Sequence, residues 1–122
     1  MEDYQNEFKE FIEKLNKDVG AVDPSEVGVM ISRMVQYFCD YNSMKTVSSN
    51  RLRQASTPII LGNDDNGKPI SMAKAQFIID ALPESEDHSI KKMHLENLEQ
   101  IVNGLKSTLK GLSNEYNHMG NN

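Results

Sequence analysis

The sequence predicts an all-α chain: a small helical bundle with a long C-terminal heptad helix and at most one short β-hairpin, at 58–71. Three observations predict it. Apolar residues recur at steps of three and four through most of the chain, which places them on one face of a helix. From Leu95 to Met119 that spacing runs without a miss. Only residues 58–71, PIILGNDDNGKPIS, set turn residues between short apolar pieces. The expectation is one helical domain over 1–122, with 58–71 as connector and 120–122 as a flexible tail.

The first helix follows from Tyr4, Phe8, Phe11, Ile12 and Leu15, one apolar stripe that Lys17, Asp18 and Gly20 bring to a stop. Asp23-Pro24-Ser25-Glu26 reads as the next helix start. Asp23 can accept from an open backbone N–H, Pro24 suits the first helical position, and Glu26 can complete a capping box. Val27, Ile31, Met34, Phe38 and Tyr41 then continue at heptad-like spacing, with Met30, Val35 and Met44 widening the face. This second helix is expected to run to Val47 or at most Ala55, with Thr57-Pro58 ending it.

A third helix is expected from Ser71 to about Leu82, carrying Met72, Ala75, Phe77, Ile78, Ile79 and Leu82. Pro83 and the ESED run should break it, with Ser85 or Asp87 capping the next helix. That last helix carries Leu95, Leu98, Val102, Leu105, Leu109, Leu112, Tyr116 and Met119, a seam of more than three heptads. Gly104 and Gly111 lie seven apart beside it. Each glycine costs a helix interior up to about 1 kcal/mol relative to alanine. They mark either a neighbouring backbone at close approach or local flexibility.

The segment 61–69, LGNDDNGKP, comes within one residue of a phosphate-binding loop, since Gly62, Gly67 and Lys68 satisfy G-x-x-x-x-G-K. Pro69 stands where the Ser or Thr should be, removing a hydroxyl and a backbone N–H. Asp64 and Asp65 would put two negative charges inside an anion cradle. A calcium loop built on Gly67 would make Gly62 the first ligand and Ala73 the bidentate acid, and fails too. Asn66-Gly67 instead carries the signature of a two-residue hairpin turn.

Composition narrows the function. A net charge of −5 argues against a surface built throughout for nucleic acid or anionic lipid. No apolar run approaches a membrane span, and MEDYQNEFKE does not resemble a signal peptide. One cysteine excludes an internal disulfide framework and fits a reducing compartment, so the expected location is cytoplasmic. Cys39, beside Phe38, reads as a small core residue. His88, His94 and His118 show no metal spacing with it. No nucleophile, base and orienting partner assemble. The expectation is no enzyme, no catalytic residue, no metal, no cofactor and no small-molecule substrate.

Charge is unevenly placed. Residues 1–26 hold eight acids and three bases, whereas 27–60 hold Arg33, Lys45, Arg51 and Arg53 against Asp40 alone. In that basic segment Arg33, Tyr37, Tyr41, Lys45, Arg51 and Arg53 interleave bases and aromatics, the chemistry that tracks phosphates and stacks unpaired bases. The other reading of these residues puts the tyrosines at the rim of the core and pairs the bases with the acidic first helix.

Leu15-Asn16-Lys17-Asp18-Val19, the helix opened by Asp23 with its VQYFCDYNSMK stretch, Ser71-Met72, the acidic ESEDHSIKK break and the long final helix come in an order that resembles the phage recombination mediators typified by UvsY. The likeness spans most of the chain as scattered identities. It implies a non-enzymatic homo-oligomer in the host cytoplasm that binds single-stranded DNA through the second helix and loads a recombinase. Assembly would use the C-terminal helix. Independently of the likeness, the apolar seam is longer than a domain of this size needs, so Leu105, Leu109, Leu112, Tyr116 and Met119 are expected to join copies. The chain departs from that pattern in its acidic balance and in a base-poor linker. Two other classes stand beside this one: a helical scaffold or adaptor that binds a protein through its heptad helix, and a small acidic inhibitor of a nucleic-acid enzyme.

Overall fold

The computed structural model describes the backbone of residues 2–18 and 22–120, and side chains as far as Asn114. Helix α1 spans Asp3–Lys17, α2 Pro24–Ile60, α3 Met72–Asp80 and α4 Pro83–Gly120. The chain is all-α, a small helical bundle with a long C-terminal helix. No strand occurs among the described residues. The hairpin expected at 58–71 reduces to one antiparallel bridge, Asn63 with Pro69.

Local chemistry sets the helix ends. Asp18 closes α1, its N–H donating to the Lys14 carbonyl at 3.2 Å. Asp23 opens α2 by accepting from the Ser25 N–H at 2.8 Å. Ser71 caps α3 by accepting from the Lys74 N–H at 3.2 Å. Two boundaries differ from expectation. Helix α2 continues through Pro58 to Ile60, because a proline removes only its own N–H and the next turn still closes from Leu61 N–H to the Thr57 carbonyl at 3.0 Å. Helix α3 ends at Asp80, ahead of Pro83 as expected, but the ESED run is no break and neither Ser85 nor Asp87 caps. Pro83 takes the first position of α4, where its missing N–H is of no consequence. Glu84 and Glu86 then lie in the first turn, where the helix dipole favours acids.

The helices pack as two compact units. Unit 1 is Met1–Cys39 with Asn97–Asn122, and unit 2 is Asp40–Glu96. Unit 1 has the more apolar interior: Tyr4, Val27, Met34 and Leu98 are fully buried, joined by Phe11, Val22, Val102 and Leu105. Unit 2 buries Tyr41, Ala75, Ile79 and Leu95, and mixes Ser48, Ser56 and His94 among them. There the Ser48 hydroxyl donates to the Lys45 carbonyl at 2.9 Å and lies 3.0 Å from His88 Nδ1. The Ser48 hydroxyl thus links the α2 backbone to the His88 ring inside unit 2. The Tyr41 ring packs on His94 at 5.0 Å between centroids.

Cys39 is exposed, contrary to the expected core position. The buried stripe of α2 in unit 1 is Val27 and Met34, and Cys39 falls five residues past Met34, about 140° off that line. A Cβ added at Gly104 or Gly111 would meet nothing within 4 Å among the described residues. Among the described residues, no backbone comes close to either glycine.

Candidate binding surfaces

The six residues singled out along α2 are dealt to different surroundings. Arg33 and Tyr37 belong to unit 1, and both are engaged by Glu7 of α1. Arg33 donates through Nε to Glu7 Oε2 at 3.1 Å and through Nη2 to Oε1 at 2.9 Å. The Tyr37 hydroxyl donates to the same Oε1 at 3.0 Å. The Arg33 guanidinium also stands 5.3 Å from the centre of the Tyr37 ring, and Tyr4 lies 6.1 Å from that ring. Hydrogen bonding from Arg33 holds the Glu7 carboxyl below the ordinary carboxylate range. Desolvation, then the Glu7 hydrogen bond, raises the Tyr37 phenol above its ordinary value.

Tyr41, Lys45, Arg51 and Arg53 belong to unit 2. Tyr41 is 7% exposed, so its ring offers no free face to a base. Lys45 is half-buried, and Arg51 and Arg53 are exposed. Two residues apart on a helix means about 200° of rotation, so Arg51 and Arg53 face opposite sides of α2. Arg53 donates to Asn50 Oδ1 at 3.1 Å. The six do not form one basic stripe.

Of the residues expected to join copies, Leu105 is 2% exposed within the single chain and is taken by the interior of unit 1. Leu109 and Leu112 are half-buried. Tyr116 and Met119, like His118, lie outside the residues whose side chains are described.

The loop at 61–69 fills its own anion site. Asp64 Oδ1 accepts from the Asn66 N–H at 2.9 Å and the Lys68 N–H at 3.0 Å, two of the amides that a phosphate would need. The Asp64 N–H donates to the Lys68 carbonyl at 2.7 Å, so three residues, 65–67, form the loop where two were expected. Gly67 supplies the left-handed position with φ +75°. Gly62 is needed for another reason: a Cβ there would stand 3.1 Å from the Pro58 carbonyl oxygen at the end of α2. Among the described residues, no group of three or more His, Cys, Asp or Glu is placed to hold a metal. No described helix is long and apolar enough to cross a membrane.

What sequence reasoning missed is the outer surface of unit 2. Phe77 is 77% exposed, Met72 72% and Leu61 78%. Across α2 and α4, Met44, Val47, Arg51, Asp87 and Lys91 help to line an open cleft of about 460 Å³. Met44 and Val47 are each about half exposed. Lys91 reaches Asp87 at 3.6 Å, whereas Arg51 has no carboxylate partner among the described residues. The available signal was in α3, whose nine residues carry Met72, Ala75, Phe77, Ile78 and Ile79, more apolar side chains than one buried stripe can take.

Comparison with protein families, with curated proteins and with solved structures finds no match for this chain.

Proposed function

We propose that this chain is a non-enzymatic helical adaptor whose unit 2 docks a protein partner. One observation carries this reading. Of the eleven large hydrophobic side chains exposed among the described residues, nine lie in unit 2: Met44, Val47, Ile60, Leu61, Met72, Phe77, Ile78, Ile90 and Met93. Exposed apolar side chains scattered singly need no explanation, but such a concentration in one unit favours a contact that removes them from water. Aromatic and Met side chains are also those enriched at protein interfaces.

The test is capture of partners by the immobilised chain, with Met44→Glu/Val47→Glu as comparison. The partner should be retained by the native chain and lost by the variant, with helical content unchanged. Equal capture by both would end the reading.

A second reading, the single-stranded-DNA recombination mediator suggested by the resemblance, draws on Lys45 and Arg51, which lack carboxylate partners among the described residues. It is weakened by the engagement of Arg33 and Tyr37 with Glu7 and by the burial of Tyr41. Phosphate contacts lose affinity steeply with salt. Retention on a single-stranded oligonucleotide that falls with salt and with Lys45→Ala/Arg51→Ala would favour this reading over the adaptor.

A further inference from the structure

We infer that unit 2 pairs with a second copy of itself, the Phe77 face of α3 in one copy seating in the Met44–Val47 cleft of the other and Asp80 meeting Arg51. This rests on the docking role of unit 2 and names one occupant for its cleft.

The projecting part is well defined. Ala75 and Ile79 are the buried stripe of α3. Phe77 is two residues from each, hence about 200° round the helix, directed away from the interior of its own unit. Ile78 is 37% exposed beside it. Asp80 follows Phe77 by three residues, the spacing at which side chains of neighbouring turns meet. Its Oδ1 accepts from Gln76 Nε2 at 2.6 Å, and Oδ2 is left for a cation. The face offers an aromatic anchor with one carboxylate a turn away.

The cleft offers the complement. Met44 and Val47 give it apolar surface. Asp87 compensates Lys91, so the charge left over is the single cation of Arg51. One carboxylate satisfies that arrangement. A chain of phosphates does not, because each successive charge would also face Asp87. Since every copy carries both face and cleft, a reciprocal exchange fills both clefts and closes as a two-fold dimer, the commonest form of self-assembly. It removes two copies of Phe77 from water and pairs both Arg51 side chains.

The test is sedimentation of the full chain from low to high micromolar concentration. The native chain should approach twice 13.8 kDa. Phe77→Ser should sediment as monomer with unchanged helical circular dichroism. Arg51→Asp and Asp80→Arg should each weaken the dimer about tenfold or more, because each sets two like charges against one another across the interface. The double variant Arg51→Asp/Asp80→Arg should recover association, which no merely structural role of these residues would produce. Lys45→Ala should leave the dimer intact.

A native chain that stays at 13.8 kDa at high micromolar concentration overturns the proposal. So does a dimer lost with Leu109→Glu or Leu112→Glu but indifferent to Phe77→Ser, which would assign assembly to the α4 seam. An Arg51→Asp defect in oligonucleotide retention with no change in mass would give the cleft to nucleic acid. If self-association fails while Met44→Glu/Val47→Glu still loses a captured protein, only the identity of the occupant is wrong.

Discussion

Arg33 and Glu7, twenty-six residues apart in sequence, form a two-pronged ion pair that ties α2 to α1 within unit 1. Through it Glu7 also receives the Tyr37 hydroxyl, so one carboxylate holds both residues that the sequence offered first to a nucleic acid.

Replacing Glu7 should therefore change the acid response. Its folded pKa lies below its ordinary 4.5, so the stability it contributes is fully present above that value and drains as pH falls through the lowered one. Glu7→Gln should cost under about 1 kcal/mol at neutral pH, since the pair is open to solvent. In urea titrations the gap between native and variant chains should close below pH 4.5. A gap that persists at low pH would mean that Glu7 acts through packing.

Gly104→Ala and Gly111→Ala should each stabilise the chain by up to about 1 kcal/mol, because alanine is the better helix former. Neither new methyl meets a neighbour within 4 Å among the described residues. Thermal unfolding reads the sign. A lower midpoint, or a change in mass, would show that these glycines face another copy.

Leu105→Ala should cost about 2–5 kcal/mol, the range for truncating a buried leucine. Leu109→Ala should cost distinctly less, since Leu109 is only half-buried whereas Leu105 is 2% exposed. Denaturant unfolding compares the two. Equal losses would place Leu109 in an interface that a single chain does not complete.

The loop should bind no nucleotide, so titration calorimetry with ATP should be flat for the native chain and for Lys68→Ala alike. Asp64→Ala should cost about 1 kcal/mol, the usual value of a lost turn hydrogen bond. ATP heat that disappears with Lys68→Ala would overturn the account of Asp64 as the loop's own anion.

How much of the structure is legible in the sequence varies by residue. Asp18, Asp23 and Ser71 act at helix ends as their chemistry suggests, and Pro69 with Asp64 argues against phosphate in either view. Pro58 looks like a helix stop and is not, whereas α3 does end ahead of Pro83, which in turn opens α4. A proline harms a helix only where its N–H is needed, and neither position loses more than one bond. Cys39 falls outside the core because its apolar neighbour Phe38 says nothing about its angle from the buried stripe.

By itself the sequence determined the helical class and most helix ends, because periodicity, caps and turn residues act over a few neighbours along the chain. Only the tertiary structure decided which charges and stripes are left over. It gave Arg33 to Glu7, put Leu105 inside unit 1, laid Tyr41 against His94, and left Arg51 and Phe77 outward. Those outcomes depend on which face of one helix meets which face of another. A stripe repeated every three or four residues tells a helix that it has a partner, and not which one.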